Sequence, residues 1–84
     1  MAKIDSAWEQ TLRAQPDAEV HAIVRTTSPP PDDPAEWQQR GLRLRHTFTL
    51  VPGVAVSGPA RAVLKLLDEP WVVRVEPDRE VRAL

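Results

Sequence analysis

Apolar residues recur at every second position in several segments of the chain, which is the pattern of half-buried β-strands. The predicted strands are 19–26, 42–51, 54–56 and 71–76. In the second of these, Phe48 and the other residues at even positions are predicted to face the core. The last strand is predicted to end at Pro77, because proline cannot donate a ladder hydrogen bond.

Two helices are predicted between the strands. The first spans 34–40, with Asp33 as its N-cap, Trp37 as its core anchor and Gly41 as its stop. The proline-rich stretch 29–34 before it predicts a stiff, extended connector, and a groove-binding segment is the alternative. The second helix is predicted to start at Pro59 and to end before Pro70. Its apolar face consists of Ala60, Val63, Leu64 and Leu67.

A further short helix is predicted within residues 1–15. Ser6 and Glu9 have the spacing of a capping box, and Trp8 and Leu12 follow at helical spacing on one face. We expect this helix to cover an edge of the core. The alternative is a helix that docks onto a partner.

The predicted order is strand, helix, strand, strand, helix, strand, which is that of the ferredoxin-like βαββαβ fold. We therefore expect an α+β domain with a four-stranded antiparallel sheet and two helices on one face. Residues 1–17 form an N-terminal helical extension, and residues 18–84 form the domain, including a C-terminal tail at 78–84. This fold serves many unrelated functions, so the order of elements predicts no activity.

Composition argues against several function classes. Eleven basic and 12 acidic residues give a net charge of -1, without the concentrated basic face of a nucleic-acid-binding protein. With no cysteine, two isolated histidines and no convergent carboxylate pair, we expect no metal, no cofactor and no enzymatic activity. No segment is apolar enough to span a membrane, and the N-terminus does not resemble a signal peptide. The sequence as given is therefore expected to be cytoplasmic, unless a signal was removed.

The segment from Leu66 to Asp78 reads L-x-x-E-P-x-V-x-x-V-E-x-D and resembles the end of the subtilisin-type propeptide family, which includes stand-alone subtilase inhibitors. Upstream, Phe48 matches an aromatic residue of that family. The residues 53–56 match a G-F-x-A-like strand, with Val54 in place of the usual phenylalanine. The similarity extends over about residues 18–84. It implies a monomeric inhibitor of a subtilisin-like serine protease, which can also act as a folding chaperone for that protease.

The resemblance also implies three sets of binding residues. The tail residues Val81, Arg82, Ala83 and Leu84 would enter the substrate cleft as a product-like strand. Glu76 and Asp78 would cap the N-termini of protease helices. The sheet-face docking residues would be Arg43, Arg45, Thr47, Val72 and Arg74.

Two alternatives remain open at this level. Glu76 and Asp78 could be solvated acids that pair loosely with Arg74 or Arg79. The whole chain could be a non-inhibitory ferredoxin-like interaction or regulatory module that dimerises or binds a small ligand. A module of that kind would be insensitive to changes at its C-terminus, whereas the potency of an inhibitor would depend on its last few residues.

Overall fold

A computed structural model describes residues 3–30 and 32–78 of the chain. The elements are helix α1 (Ser6–Ala14), strand β1 (Glu19–Thr26), helix α2 (Pro34–Gln39), strand β2 (Arg43–Phe48), strand β3 (Gly53–Pro59), helix α3 (Ala60–Lys65) and strand β4 (Val72–Pro77). A single 3₁₀ turn, Leu66–Asp68, follows α3. The predicted α+β class is confirmed.

The four strands form one sheet in the order β2-β3-β1-β4, and all neighbouring strands are antiparallel. This arrangement is the predicted ferredoxin-like fold, preceded by the short helix α1. One side of the sheet packs against the helices. The other side, which we call the open face, carries the alternate residues of each strand.

The ends of α2 form for the reasons that the sequence indicated. The Asp33 carboxylate accepts a hydrogen bond from the Ala35 N–H at 3.0 Å, and Pro34 occupies the first turn. Gly41 follows the helix with a φ of +83°, a conformation that favours glycine. These local predictions are confirmed.

The start of α1 differs from the prediction. The N-cap is Asp5, whose carboxylate accepts the Trp8 N–H at 3.1 Å, and Ser6 is the first helical residue. A carboxylate at this position also interacts favourably with the helix dipole. The capping box predicted at Ser6 is therefore wrong by one residue.

The start of α3 also differs from the prediction. Gly58 and Pro59 complete strand β3, and α3 begins at Ala60 without a side-chain cap. A Cβ atom at Gly58 would lie 2.8 Å from the Gly41 carbonyl oxygen, so glycine permits the close packing of β3 against the end of α2.

One hydrophobic core lies between the sheet and the helices. Its buried members are Ile4, Leu12, Ala22, Val24, Trp37, Leu42, Val54, Val56, Ala60, Ala62, Val63, Leu66, Val72 and Val75. The N-terminal segment takes part in this core, because Ile4 and Leu12 are only 4% and 2% exposed. Burial of these two large aliphatic side chains, of which Leu12 belongs to α1, makes the N-terminal segment part of the folding unit.

The same segment covers the β4 edge of the sheet. The carbonyl oxygen of Lys3 accepts the Val75 N–H at 2.7 Å. The Lys3 ammonium group donates to the carbonyl oxygens of Leu67 at 3.2 Å and Glu69 at 2.7 Å. This is the edge-covering role that was favoured from the sequence.

A bulge in β2 overturns the predicted orientation of Phe48. Leu44 pairs with the core residue Val56, but the register then shifts, and His46 pairs with Ala55. The extra residue reverses the alternation. Phe48 consequently lies on the open face, half-buried and outside the core cluster, and the core position predicted for it is wrong.

A second irregularity lies where β1 pairs with β4, between Arg25 and Thr26. Val72 and Val75 both reach the core with 1% exposure, whereas Val73 between them is 50% exposed. The simple alternation predicted for this strand therefore fails at its first residues.

Candidate docking face

The open face is the candidate functional surface, since no described helix covers it. Its side chains come from all four strands and from the residue after β4. They are Glu19, His21, Ile23, Arg25, Arg43, Arg45, His46, Phe48, Ala55, Ser57, Arg74, Glu76 and Asp78. The face is mainly polar and charged, with apolar residues concentrated towards the end of β2.

Small residues of β3 form a trough along the middle of this face. Gly53 pairs with Arg25 on one side and with Phe48 on the other, and Ala55 likewise lies between Ile23 and His46. Because the middle strand carries almost no side chain here, the longer side chains of β1 and β2 stand as walls.

A pocket of about 390 Å³ lies at the end of this trough next to the loop after β2. Its lining residues are Ile23, Arg25, His46, Phe48, Thr49, Leu50 and Val51. The rings of His46 and Phe48 meet edge to face, with centroids 5.0 Å apart. The loop after β2 closes one end, where Leu50 is 97% exposed and Val51 is 51% exposed. We reserve the name apolar trough for this pocket together with Gly53, which pairs with Arg25 and Phe48 of its lining.

Ion pairs and one arginine–histidine hydrogen bond cross the open face. Glu76 Oε2 lies 3.5 Å from Arg25 Nε and 3.4 Å from Arg74 Nε. Arg43 Nη2 lies 2.5 Å from Glu19 Oε2, and Arg45 contacts the Nδ1 atom of His21. These groups are partly exposed, so each pair contributes little to stability but holds its side chains in position.

The structure brings five of the predicted site residues together on the open face. Arg43, Arg45 and Arg74 project from β2 and β4, and Glu76 pairs in register with Ile23. Asp78 extends the β4 ladder by donating its N–H to the His21 carbonyl oxygen at 3.0 Å. Its side chain lines a second depression with Arg45, His46, Phe48 and Ala55.

Two predicted docking residues lie elsewhere. Val72 is buried in the core, so it is not available for docking, and the prediction is corrected. Thr47 pairs with the core residue Val54, which places it on the helix side of the sheet. The tail residues Val81, Arg82, Ala83 and Leu84 lie outside the described residues.

Sequence reasoning missed the apolar trough. In β1, Ile23 and Arg25 alternate with the core residues. This alternation was sufficient to predict that both lie on the open face. Phe48 could not have been assigned in this way, because a bulge leaves no mark in a period-two pattern. The strand predicted at 54–56 did not include Gly53, whereas β3 begins at this residue.

A cluster of aromatic and arginine side chains between α2 and β4 has a structural role. The rings of Trp37 and Trp71 meet edge to face at 6.1 Å, and the Arg40 guanidinium lies 5.2 Å from the Trp71 ring centroid. Trp71 also donates its indole N–H to Glu69 at 2.7 Å. Together these contacts hold the end of α2 against the start of β4.

Within residues 3–30 and 32–78, no group of three or more His, Cys, Asp or Glu side chains could hold a metal ion. None of the helices in the same part of the chain is long and apolar enough to cross a membrane.

No model of a known protein family matches the chain, and a search of curated proteins gives no significant match. The open face and the sequence motif of β4 are therefore the features of the chain that indicate a function.

Proposed function

We propose that this protein inhibits a subtilisin-like serine protease. It would dock on the enzyme through its open face, and the residues after Asp78 would enter the substrate cleft as a product-like strand. An inhibitor of this type needs no catalytic residue of its own. The proposal extends to assistance in folding the protease, since a surface that fits the native enzyme also stabilises it.

The observation that carries this proposal is the way β4 divides its V-x-x-V-E-x-D motif. Val72 and Val75 are buried in the core, whereas the acidic residues Glu76 and Asp78 belong to the open face. Packing in the core accounts for the two valines of the motif, but it does not account for the two acids. Carboxylates grouped at the end of one strand are suited to accept hydrogen bonds from the free N–H groups at helix N-termini of a partner.

Glu76 is positioned by two long ion pairs, and its carboxylate remains partly exposed. Its contacts to Arg25 and Arg74 are 3.5 and 3.4 Å long, and its side chain is 31% exposed. Surface pairs of this kind are worth about 1 kcal/mol or less. A partner that offers well-aligned N–H donors in a desolvated interface can therefore compete with both arginines.

The position of Asp78 supports the second half of the proposal. This residue lies at the end of β4 and lines a depression on the open face, so the following segment starts from the docking surface. Six further residues can span about 20 Å when extended. In the cleft, main-chain hydrogen bonds would provide affinity, and the apolar side chains of Val81 and Leu84 would fill pockets.

Two linked contacts explain how a small domain could bind tightly. Once the open face has docked, the tail binds as an intramolecular ligand, and such linkage typically raises affinity by about 10²- to 10⁴-fold. The open face also holds the tail at the cleft, so neither contact needs to be strong by itself.

The sheet edges favour a monomer that docks by its face. Lys3 already occupies part of the β4 edge. At the β2 edge, self-pairing with a second copy would bring Arg43 and Arg45 close to the same residues of that copy. Repulsion between these like charges, together with the bulge in β2, opposes edge-to-edge dimers.

The docking face is tested by neutralising its carboxylates. Glu76→Gln and Asp78→Asn should each raise the inhibition constant against a responsive subtilisin-like protease by about fivefold or more, because each loses a charge-assisted hydrogen bond. The matched control is Asp68→Asn, an exposed residue of the 3₁₀ turn on the helix side. The proposal is wrong about these residues if all three variants inhibit as well as the original chain.

A further inference from the structure

We infer that the apolar trough binds a small monocarboxylate with an apolar body, such as a medium-chain fatty acid or an aromatic acid. The site is distinct from the carboxylates and the tail that the proposed function assigns. Direct binding of such a ligand does not depend on that function. Competition between the ligand and the protease does rest on it, since both would occupy the open face.

The shape of the trough supports a small ligand. The pocket of about 390 Å³ lies within the range of about 300–1,000 Å³ that is usual for small-molecule sites. Ile23 and Phe48 provide apolar walls, and Gly53 lies between Arg25 and Phe48 in the ladder. A Cβ atom at Gly53 would lie 2.7 Å from the Val24 carbonyl oxygen, so the close approach of β1 and β3 beside the trough requires glycine.

The guanidinium of Arg25 in the lining of the trough favours an anionic head group. The lining contains the guanidinium of Arg25 and the imidazole of His46, but no carboxylate. Among the described residues, Arg25 contacts only Glu76, through Nε at 3.5 Å, which leaves its terminal amino groups for a ligand. A carboxylate can bind an arginine through two parallel hydrogen bonds, and the apolar chain would then lie against Phe48.

The end of the trough accommodates the apolar body. Leu50 and Val51 are exposed large hydrophobic residues in the loop that closes it. A ligand that covers them removes apolar surface from water on both molecules. The expected ligand therefore has a carboxylate near Arg25 and an apolar chain directed towards Leu50.

The experiment is a titration of the isotopically labelled protein with sodium octanoate, below its micelle concentration, followed by NMR. The amide signals of Ile23, Arg25 and Phe48 should shift and saturate, with a dissociation constant on the order of 1 mM or tighter. Octylammonium, which has the same chain and the opposite charge, should give at least fivefold weaker binding.

Two arginine variants give the matched comparison. Arg25 and Arg74 both contact Glu76 Oε2, but only Arg25 lines the trough. Arg25→Gln should weaken octanoate binding about tenfold, whereas Arg74→Gln should leave it within about twofold. Absence of saturable shifts, equal binding of octylammonium, or equal losses in the two variants would each overturn the inference.

The ligand-binding inference and the inhibitor proposal can be tested separately. If octanoate binds as expected and also raises the inhibition constant against the protease, ligand and enzyme share the open face. If octanoate binds and the chain inhibits no protease, the trough is a ligand site and the inhibitor proposal fails alone.

Discussion

Truncation of Phe48 to alanine should cost only about 1–2 kcal/mol of unfolding free energy. A fully buried phenylalanine loses about 3–5 kcal/mol in the same change, through lost burial and the cavity that remains. Phe48 is half-buried and lies outside the core cluster, with the ring of His46 at 5.0 Å on the open face. Water can fill the space that the ring leaves, so no closed cavity forms and the cost is correspondingly smaller.

Leu42→Ala is the matched control, because simple alternation places Leu42 and Phe48 on the same face. In the structure Leu42 is 1% exposed in the core, so its truncation should cost about 2–5 kcal/mol. A domain of 84 residues has a total stability of about 4–12 kcal/mol, so this loss is a large part of the whole.

Urea denaturation followed by the fluorescence of the three tryptophans measures both losses. Leu42→Ala should lose clearly more unfolding free energy than Phe48→Ala. Equal losses, or a loss of 3–5 kcal/mol for Phe48→Ala, would show that the bulge and the orientation that follows from it are wrong.

Four further variants test the packing and the N-cap of α1 in stability measurements. Leu12→Ala should cost about 2–5 kcal/mol, because α1 belongs to the core; a loss below about 1 kcal/mol would make α1 a loose extension. Gly58→Ala should destabilise by about 1–3 kcal/mol, since the new Cβ would meet the Gly41 carbonyl oxygen at 2.8 Å, and an unchanged melting temperature would refute that contact. Asp5→Ala should cost about 1 kcal/mol and Ser6→Ala almost nothing; the reverse order would restore the capping box.

The sequence predicted those parts of the fold that depend on local signals. β1 was predicted with its observed bounds, because Val20, Ala22 and Val24 recur at every second position among strand-favouring residues. The start and end of α2 were predicted from Asp33 and Gly41, whose roles follow from backbone geometry. The order of these elements was then enough to predict the ferredoxin-like sheet.

The candidate site was predicted only in part, because its geometry depends on register. The bulge in β2 moves Phe48 onto the open face, and the irregularity opposite Arg25 moves Val72 into the core. Both shifts arise from pairing between distant strands, which a single-sequence pattern does not contain. Arg43, Arg45 and Arg74 were assigned to the open face and Arg25 was not, whereas Glu76 and Asp78 were assigned through the resemblance to the propeptide family.

The division of β4 into buried valines and open-face acids links the fold to the proposed function. Val75 packs in the core, whereas Glu76 and Asp78 belong to the open face. A change that destabilises the core would therefore weaken inhibition indirectly. Measurements of activity on these variants need a parallel measurement of stability to separate the two effects.

The central claim is tested most directly by titrating a subtilisin-like protease with the intact chain and with a chain that lacks residues 81–84. The intact chain should inhibit at nanomolar to micromolar concentrations, and the truncated chain should be weaker by about 100-fold, since it keeps the docking face but loses the linked tail. Equal inhibition by the two chains would remove the tail from the mechanism. No inhibition of several different subtilases by either chain would contradict the inhibitor proposal.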